Sequence, residues 1–375
     1  MSKAIVSSFN EWDPLEEVII GTLDKVTVPF LSHEMKVFIR KEYWDFYKKY
    51  GGQPYPKEFV EKGVKALNNL EKVLEAEGVK VRRPEPVRFD PDKRVTTPHY
   101  ESTGFFNADV RDILLIVGDT IIEAPMAQRC RAFEYLGYQD LILEYFKSGA
   151  KWLCAPKGSK SSELYDYEYP EEDMALFRGE PISDTNVSVF NGRFITTEHE
   201  ICFDAADFVR CGRDIFAQRS HVTNQLGIDW VRSILEPTYK VHNIKFRDPS
   251  PVHIDATWLP IGEGKVLSCP DRVCISEDML ALFKNSGWEI FYPPPGEAKA
   301  EFHMSSRWLS MNILMLDPER VVVEKDELAT IKFFKKIGIK PILVDFKDHY
   351  MFGGGIHCAT ADVRRRGELK SYFNN

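Results

Sequence analysis

The sequence predicts one mixed α/β domain, in which short strands paired through tight turns alternate with amphipathic helices. Three observations lead there. Apolar runs of strand length recur along the whole chain. Between them lie stretches whose apolar residues repeat every three or four positions, the period of a helix with one buried face. The groups recur loosely as strand, strand, helix, strand, with turn signals between neighbouring strands at Asn191-Gly192 and Gly262-Glu263-Gly264. A purely parallel sheet needs one helix between every two strands, and this rhythm differs from it.

In chain order, Val18-Ile19-Ile20 reads as a strand and Phe59–Glu77 as a helix, with Leu67, Leu70 and Leu74 on one face as core. Ile113–Val117 follows as a strand and Arg131–Ser148 as a helix. Residues 154–185 are polar and irregular, which predicts a long surface excursion. Phe194-Ile195-Thr196 reads as a strand, Asp214–Leu226 as a helix, and Lys265–Ser268 as a strand. Arg320–Val323 is a further strand and Leu328–Ile337 a further helix. No linker rich in Pro, Gly or Ser divides the chain, so residues 1–375 are expected to form a single domain.

Composition narrows the function. Hydrophobic residues make up 43% and charged residues 28% of the 375, the balance of a globular protein with a large core. A net charge of −8 argues against a nucleic-acid groove and is compatible with a small cationic substrate. Seven cysteines, an odd number, do not suggest a disulfide framework. The opening residues Met1–Val6 carry no apolar run of a secretory signal, and no stretch is long and apolar enough for a membrane span. The expectation is a cytoplasmic protein of a reducing compartment, acting without nucleic acid or membrane.

Three segments carry chemistry. In Phe352-Gly353-Gly354-Gly355-Ile356-His357-Cys358, the glycines let the chain turn and approach a ligand closely, and Cys358 is a candidate nucleophile if its thiolate is stabilised. The bland alternative is an inert buried cysteine. In Pro251-Val252-His253-Ile254-Asp255, a strand would put His253 and Asp255 on one face, one able to move a proton and the other to hold a cation. In Cys202-Phe203-Asp204-Ala205-Ala206-Asp207, Asp204 can orient a histidine or simply cap a helix; Asp207 and Asp214 are equally plausible caps. A metal held by His253, Asp255, His357 and Cys358 is the rival reading. Cys269 and Cys274 lack a second pair at zinc spacing, and no phosphate-binding glycine loop is present.

Taken together, these segments are familiar. Asn10–Val18, Arg111–Leu114, Ile121–Met126, Cys202–Asp207, Gly212–Ser220, His253–Thr257, Met304–Asn312 and Gly353–Cys358 resemble the glycine amidinotransferase family, with inosamine-phosphate amidinotransferase as a cousin and arginine deiminase as a distant relative. The resemblance implies a five-bladed α/β propeller of ββαβ modules around a central channel. It implies Cys358 as nucleophile, His253 as general acid/base and Asp204 as its orienting carboxylate. Asp112 and Asp255 would grip a guanidinium, while Arg272, Ser305 and Ser306 would hold the α-carboxylate end of L-arginine. The implied reaction is ping-pong transfer of the amidino group from arginine to an acceptor amine, with release of ornithine and no cofactor or metal. Relatives are often dimers, which allows a homodimer, while the sequence itself does not fix the oligomeric state.

Glycine-using members typically read Asp-Pro-Asn-Pro-Met-His before the histidine. Here the segment is Asp248-Pro249-Ser250-Pro251-Val252-His253. If Ser250 and Val252 line the acceptor pocket, their smaller side chains leave room for an amine larger than glycine, as in the making of a guanidino alkaloid or antibiotic. The alternatives are an arginine:glycine enzyme making guanidinoacetate, a deiminase-like hydrolase making citrulline, and a binding protein without turnover.

Overall fold

Five three-stranded sheets carry the chain, and each is assembled in the same way. The computed structural model describes residues 5–84, 94–102, 108–174, 192–248, 250–300 and 306–374. In each sheet a first strand pairs antiparallel with a second, and a helix then leads to a third strand parallel to the second. Leu114–Val117, Thr120–Glu123 and Lys151–Cys154 form one such unit around the helix Gln139–Lys147. Phe208–Cys211, Asp214–Ala217 and Lys240–Asn243 form the next, around Gln225–Leu235. Trp258–Gly262, Lys265–Ser268 and Glu289–Phe291 enclose Glu277–Asn285. Leu314–Asp317, Arg320–Glu324 and Lys340–Val344 enclose Leu328–Lys336. The remaining sheet joins the two ends of the chain: Thr360–Arg365 is its first strand, Leu15–Ile20 its second and Lys80–Arg82 its third, around Lys57–Ala76.

The recurring ββαβ rhythm expected from the sequence is therefore present. The helix Lys57–Ala76 buries Leu67, Leu70 and Leu74, which join Val18, Ile20 and Phe352 in one core. The reading of Gly262-Glu263-Gly264 as a hairpin turn holds, since the strands on either side pair antiparallel. Among the described residues, no helix is long and apolar enough to cross a membrane.

Four local readings need correction. Asp214–Leu226 is not one helix: Gly212, at φ 70°, turns a hairpin, and Asp214–Ala217 is a buried central strand. Arg131–Ser148 breaks into a 3-10 turn, Glu134–Tyr138, followed by the helix Gln139–Lys147. Phe194–Thr196 makes no strand, and only Thr196 forms a bridge, to Tyr165. His253 and Asp255 do not sit on a strand: His253 takes φ 54° and precedes the 3-10 turn Ile254–Ala256. Beyond Cys154, the irregular excursion holds only short 3-10 turns as far as residue 174. Its later part, Asn191 of the expected Asn191-Gly192 turn, and Ser305 lie outside the described residues.

Candidate active site

The polar residues singled out from the sequence come from equivalent places in the five units. Apart from Arg272, which follows the second strand of its sheet, the candidate site residues lie in the short segment leading into a first strand. Asp112 precedes Leu114–Val117, Asp204 precedes Phe208–Cys211, and His253 and Asp255 precede Trp258–Gly262. Ser306 and Asn312 precede Leu314–Asp317, and Cys358 precedes Thr360–Arg365. A strand must pair its backbone groups, but the segment before it is free to turn. Equivalent turns in similar units thus bring residues that are distant in sequence to one place.

At that place Cys358 Sγ, a ring nitrogen of His253 and a carboxylate oxygen of Asp112 all lie within 4.8 Å of one another. His253 Nε2 is 3.2 Å from Asp204 Oδ2, and its Nδ1 faces Asp112 Oδ1 at 3.5 Å. The other Asp204 oxygen accepts the Ala127 N–H at 3.1 Å, which fixes the carboxylate plane. Asp112 Oδ2 accepts from Arg131 Nη1 at 2.6 Å, and Arg131 is itself paired with buried Glu134. Asp255 Oδ2 accepts from His357 Nδ1 at 2.7 Å and from Asn312 Nδ2 at 3.0 Å, and lies 3.8 Å from Cys358 Sγ. Asp112 Oδ1 and Asp255 Oδ1 are both buried without a hydrogen-bond partner. Buried carboxylate oxygens without hydrogen bonds are costly; Asp112 Oδ1 has only the 3.5 Å ion pair with His253 Nδ1 and Asp255 Oδ1 has no hydrogen bond, so the pair suits a further cationic donor.

The glycines before Cys358 are required by their neighbours. Gly353 takes φ 99°. A Cβ on Gly354 would lie 2.1 Å from Asp109 Oδ1, and one on Gly355 2.6 Å from Asn312 Oδ1. Arg272 donates to Ser306 Oγ at 2.8 Å and lies 3.4 Å from Asp248 Oδ2, so two of the three residues expected at the α-carboxylate lie together. Ser250 is buried with its hydroxyl unpartnered. Val252 packs against Ala127, Leu164, Tyr165, Cys202 and Val222, beside the loop that holds Asp204.

No family model matches the chain. Among curated proteins, the mitochondrial glycine amidinotransferase of Xenopus laevis is 50% identical over 370 residues, covering 98% of this chain and 85% of that protein. The L-arginine:L-lysine amidinotransferase of Pseudomonas savastanoi pv. phaseolicola is 42% identical, covering 98% and 96%. Among solved structures, SxtG, an amidinotransferase of the saxitoxin biosynthetic pathway of Microseira wollei, superposes with a TM-score of 0.85 at 43% identity over 98% of this chain and 99% of that one. The inosamine-phosphate amidinotransferase StrB1 of Streptomyces griseus gives 0.82 at 34% identity over 99% of each. The chain belongs to the amidinotransferase family.

This amidinotransferase is charged for a cationic ligand. Burial alone would depress the His253 imidazole, but Asp112, Asp204 and Asp207 outweigh it and raise it to about 10. Burial, then the charges of Asp255, Asp112 and Asp109, push the Cys358 thiol well above its usual range. Burial likewise raises Asp112, against the opposing pull of His253 and Arg131. Burial acts upward on Asp255 too, but the hydrogen bond and charge of His357 overcome it, and Asp255 ends below its usual range. Without ligand, burial and the surrounding carboxylates thus favour the neutral thiol and the protonated imidazole. Of the rival metal set, His357 and Asp255 are tied to each other at 2.7 Å, and among the described residues the group close enough to hold an ion is Asp112, His253 and Cys358, where an ion would share Asp112 with the Arg131 guanidinium.

The structure brings Cys358, His253, Asp204, Asp112 and Asp255 together, and Arg272 with Ser306. Two participants, Arg131 and Asn312, were assigned no role from sequence, and His357 was considered only as a ligand in the rival metal reading. Arg131 steadies Asp112, His357 steadies Asp255, and Asn312 touches both Asp255 and the sulfur. Asn312 lies inside a family-like motif, and His357 is adjacent to the cysteine, so both positions carried a signal. Arg131 had none beyond its place at the start of an expected helix.

Proposed function

We propose that this amidinotransferase moves the amidino group of L-arginine to an acceptor amine larger than glycine, through an amidino-Cys358 intermediate, and releases ornithine. The observation that carries the reading is the buried sulfur, set beside two carboxylates that each keep one oxygen without a hydrogen bond and within 4.8 Å of the imidazole. Those oxygens suit the planar, bidentate donor face of a guanidinium. Binding it brings a positive charge to the groups that hold the thiol protonated, so the substrate itself favours thiolate. Cys358 then attacks the guanidinium carbon. As the sulfur attacks, His253 gives its proton to the departing ornithine nitrogen and takes up the thiol proton in the same step, so that no free proton is left over. The acceptor amine reverses these steps: it attacks the same carbon, its proton passes through His253, and the sulfur leaves as thiol. Protons balance in each half, and the kinetics are ping-pong.

Arg272 and Ser306 suit the α-carboxylate of arginine, and Ser305 is assigned with them. We also read the five units as blades around a central channel, a reading supported by the equivalent origins of the site residues. A reducing, cytoplasmic setting is supported by seven cysteines that are all unpaired.

The larger acceptor rests on Ser250, whose buried hydroxyl is unpartnered, and on the short Val252 side chain. The 50% identity to a glycine amidinotransferase favours a second reading with glycine as acceptor. An acceptor screen with arginine, scored by ornithine, separates the readings. A bulkier amine should outrank glycine, and Ser250→Asn with Val252→Met should shift preference toward glycine. An unchanged ranking would discard the pocket argument, and citrulline formed without any amine would make the chain a hydrolase.

A further inference from the structure

Asn312 is almost fully buried and uses every polar atom of its side chain on the site. Its Oδ1 accepts the Cys358 backbone N–H at 3.0 Å. Its Nδ2 lies 3.0 Å from Asp255 Oδ2 and 3.1 Å from Cys358 Sγ. The amide has one arrangement that works. Reversed, it would set its NH2 against the Cys358 N–H and its carbonyl against the Asp255 carboxylate. The two Nδ2 hydrogens are therefore shared between the carboxylate and the sulfur. The backbone is tied to the same place, since the His357 N–H donates to the Asn312 carbonyl at 3.3 Å. Gly355 leaves the space that this side chain fills.

We propose that Asn312 is a further catalytic residue, whose carboxamide donates a hydrogen bond to the Cys358 thiolate while aligning Asp255 for the guanidinium. The inference rests on Cys358 being the nucleophile. Its chemistry is that of an N–H aimed where negative charge develops. In the thiol form the contact is weak, because S–H is a poor partner. In the thiolate form it becomes a charge-assisted bond, and it is broken again when the sulfur is alkylated by the amidino carbon. It therefore favours the attacking state over both resting states. A hydrogen bond to a charged group corresponds to about a ten- to hundredfold change in rate.

Asn312→Ala and Asn312→Asp separate this role from a structural one. Asp keeps an acceptor for the Cys358 N–H but sets a carboxylate against the sulfur and Asp255. A purely structural role predicts that Asp is tolerated better than Ala; thiolate donation predicts the reverse. The test measures alkylation of Cys358 by iodoacetamide across pH, together with amidino loading by arginine, followed by intact mass. Both variants should alkylate about tenfold or more slowly near neutral pH and converge with wild type at alkaline pH, in the order wild type, Ala, Asp. Loading should slow in the same order. Wild-type rates in folded variants, or Asp outperforming Ala, would overturn the proposal. Wild-type protein that takes up no amidino mass would instead overturn the nucleophile assignment. Should the variants fail to fold, a crystal structure of the unmodified chain with Cys358 free, grown at alkaline pH, decides. Asn312 Nδ2 within hydrogen-bond reach of the sulfur supports the role, and Nδ2 turned away from it refutes it.

Discussion

Replacing Asp204 by Asn tests the proton relay at the point where the geometry is most constrained. Asn is nearly isosteric, and its Oδ1 can still accept the Ala127 N–H. What changes is the group facing His253 Nε2 at 3.2 Å: a carboxylate becomes an amide that donates. Two consequences follow. The imidazole must turn its Nε2 lone pair to the amide, which leaves the neutral ring protonated on Nδ1 and unable to take a proton there. It also loses a nearby negative charge. At that separation, with an effective dielectric near 20, the charge contributes on the order of 4 kcal/mol. At 1.36 kcal/mol per unit, this corresponds to a fall of up to about three units in the His253 titration. The wild-type group, held at about 10, would then move toward neutrality, and the acid that serves ornithine departure would be partly lost. General acid–base catalysis is typically worth about 10²–10⁴-fold, and kcat should fall within that range. The assay is initial-rate ornithine release against pH for wild type and Asp204→Asn, with circular dichroism to verify the fold. The alkaline limb of the variant should lie at lower pH. A variant with near-wild-type kcat and an unmoved alkaline limb would refute the relay.

Other expectations follow from the same geometry. Asp112→Asn and Asp255→Asn should each raise KM for arginine and lower kcat/KM by about tenfold or more, since each removes a charged acceptor; stopped assays over arginine concentration check this, and an unchanged KM would contradict it. Gly354→Ala places a Cβ 2.1 Å from Asp109 Oδ1 and should destabilise the fold by about 1–3 kcal/mol, seen as a lower melting temperature with reduced activity; an unaltered melting curve would show that the site is looser than described. His253 is raised in the folded state, so its stabilising contribution is complete below about 6.5 and is lost as pH rises toward about 10. The urea midpoint of the ligand-free protein should therefore fall across that window more steeply for wild type than for His253→Asn, and parallel slopes would count against the ion pairs.

Part of this structure could be read from the chain and part could not, for physical reasons. Leu67, Leu70 and Leu74 announce their helix because a long surface helix buries one stripe and exposes the rest. Asp214–Ala217 was misread as helix because a central strand buried on both faces has no alternation to display. Gly212, which makes the hairpin, was the better guide. His253 and Asp255 were grouped correctly for the wrong reason, since the strand rule does not apply to a residue with positive φ before a 3-10 turn. The contacts that finish the site mostly join residues far apart in sequence: Asp204 with His253, Asp255 with His357 and Asn312 with Cys358, with Asp112 and Arg131 nearer to each other. Pairings of that kind leave no local pattern. The chemical types were legible, while their partners became visible only when five similar turns met.

The central claim concerns one covalent bond, and quenched-flow intact mass spectrometry tests it most directly. Wild-type protein mixed with arginine and no amine should gain the mass of a single amidino group, mapped by peptide analysis to Cys358, with an equal amount of ornithine released; Cys358→Ala should bind arginine and gain nothing. Ornithine formed without an adduct, an adduct on another residue, or citrulline in place of ornithine would contradict the account.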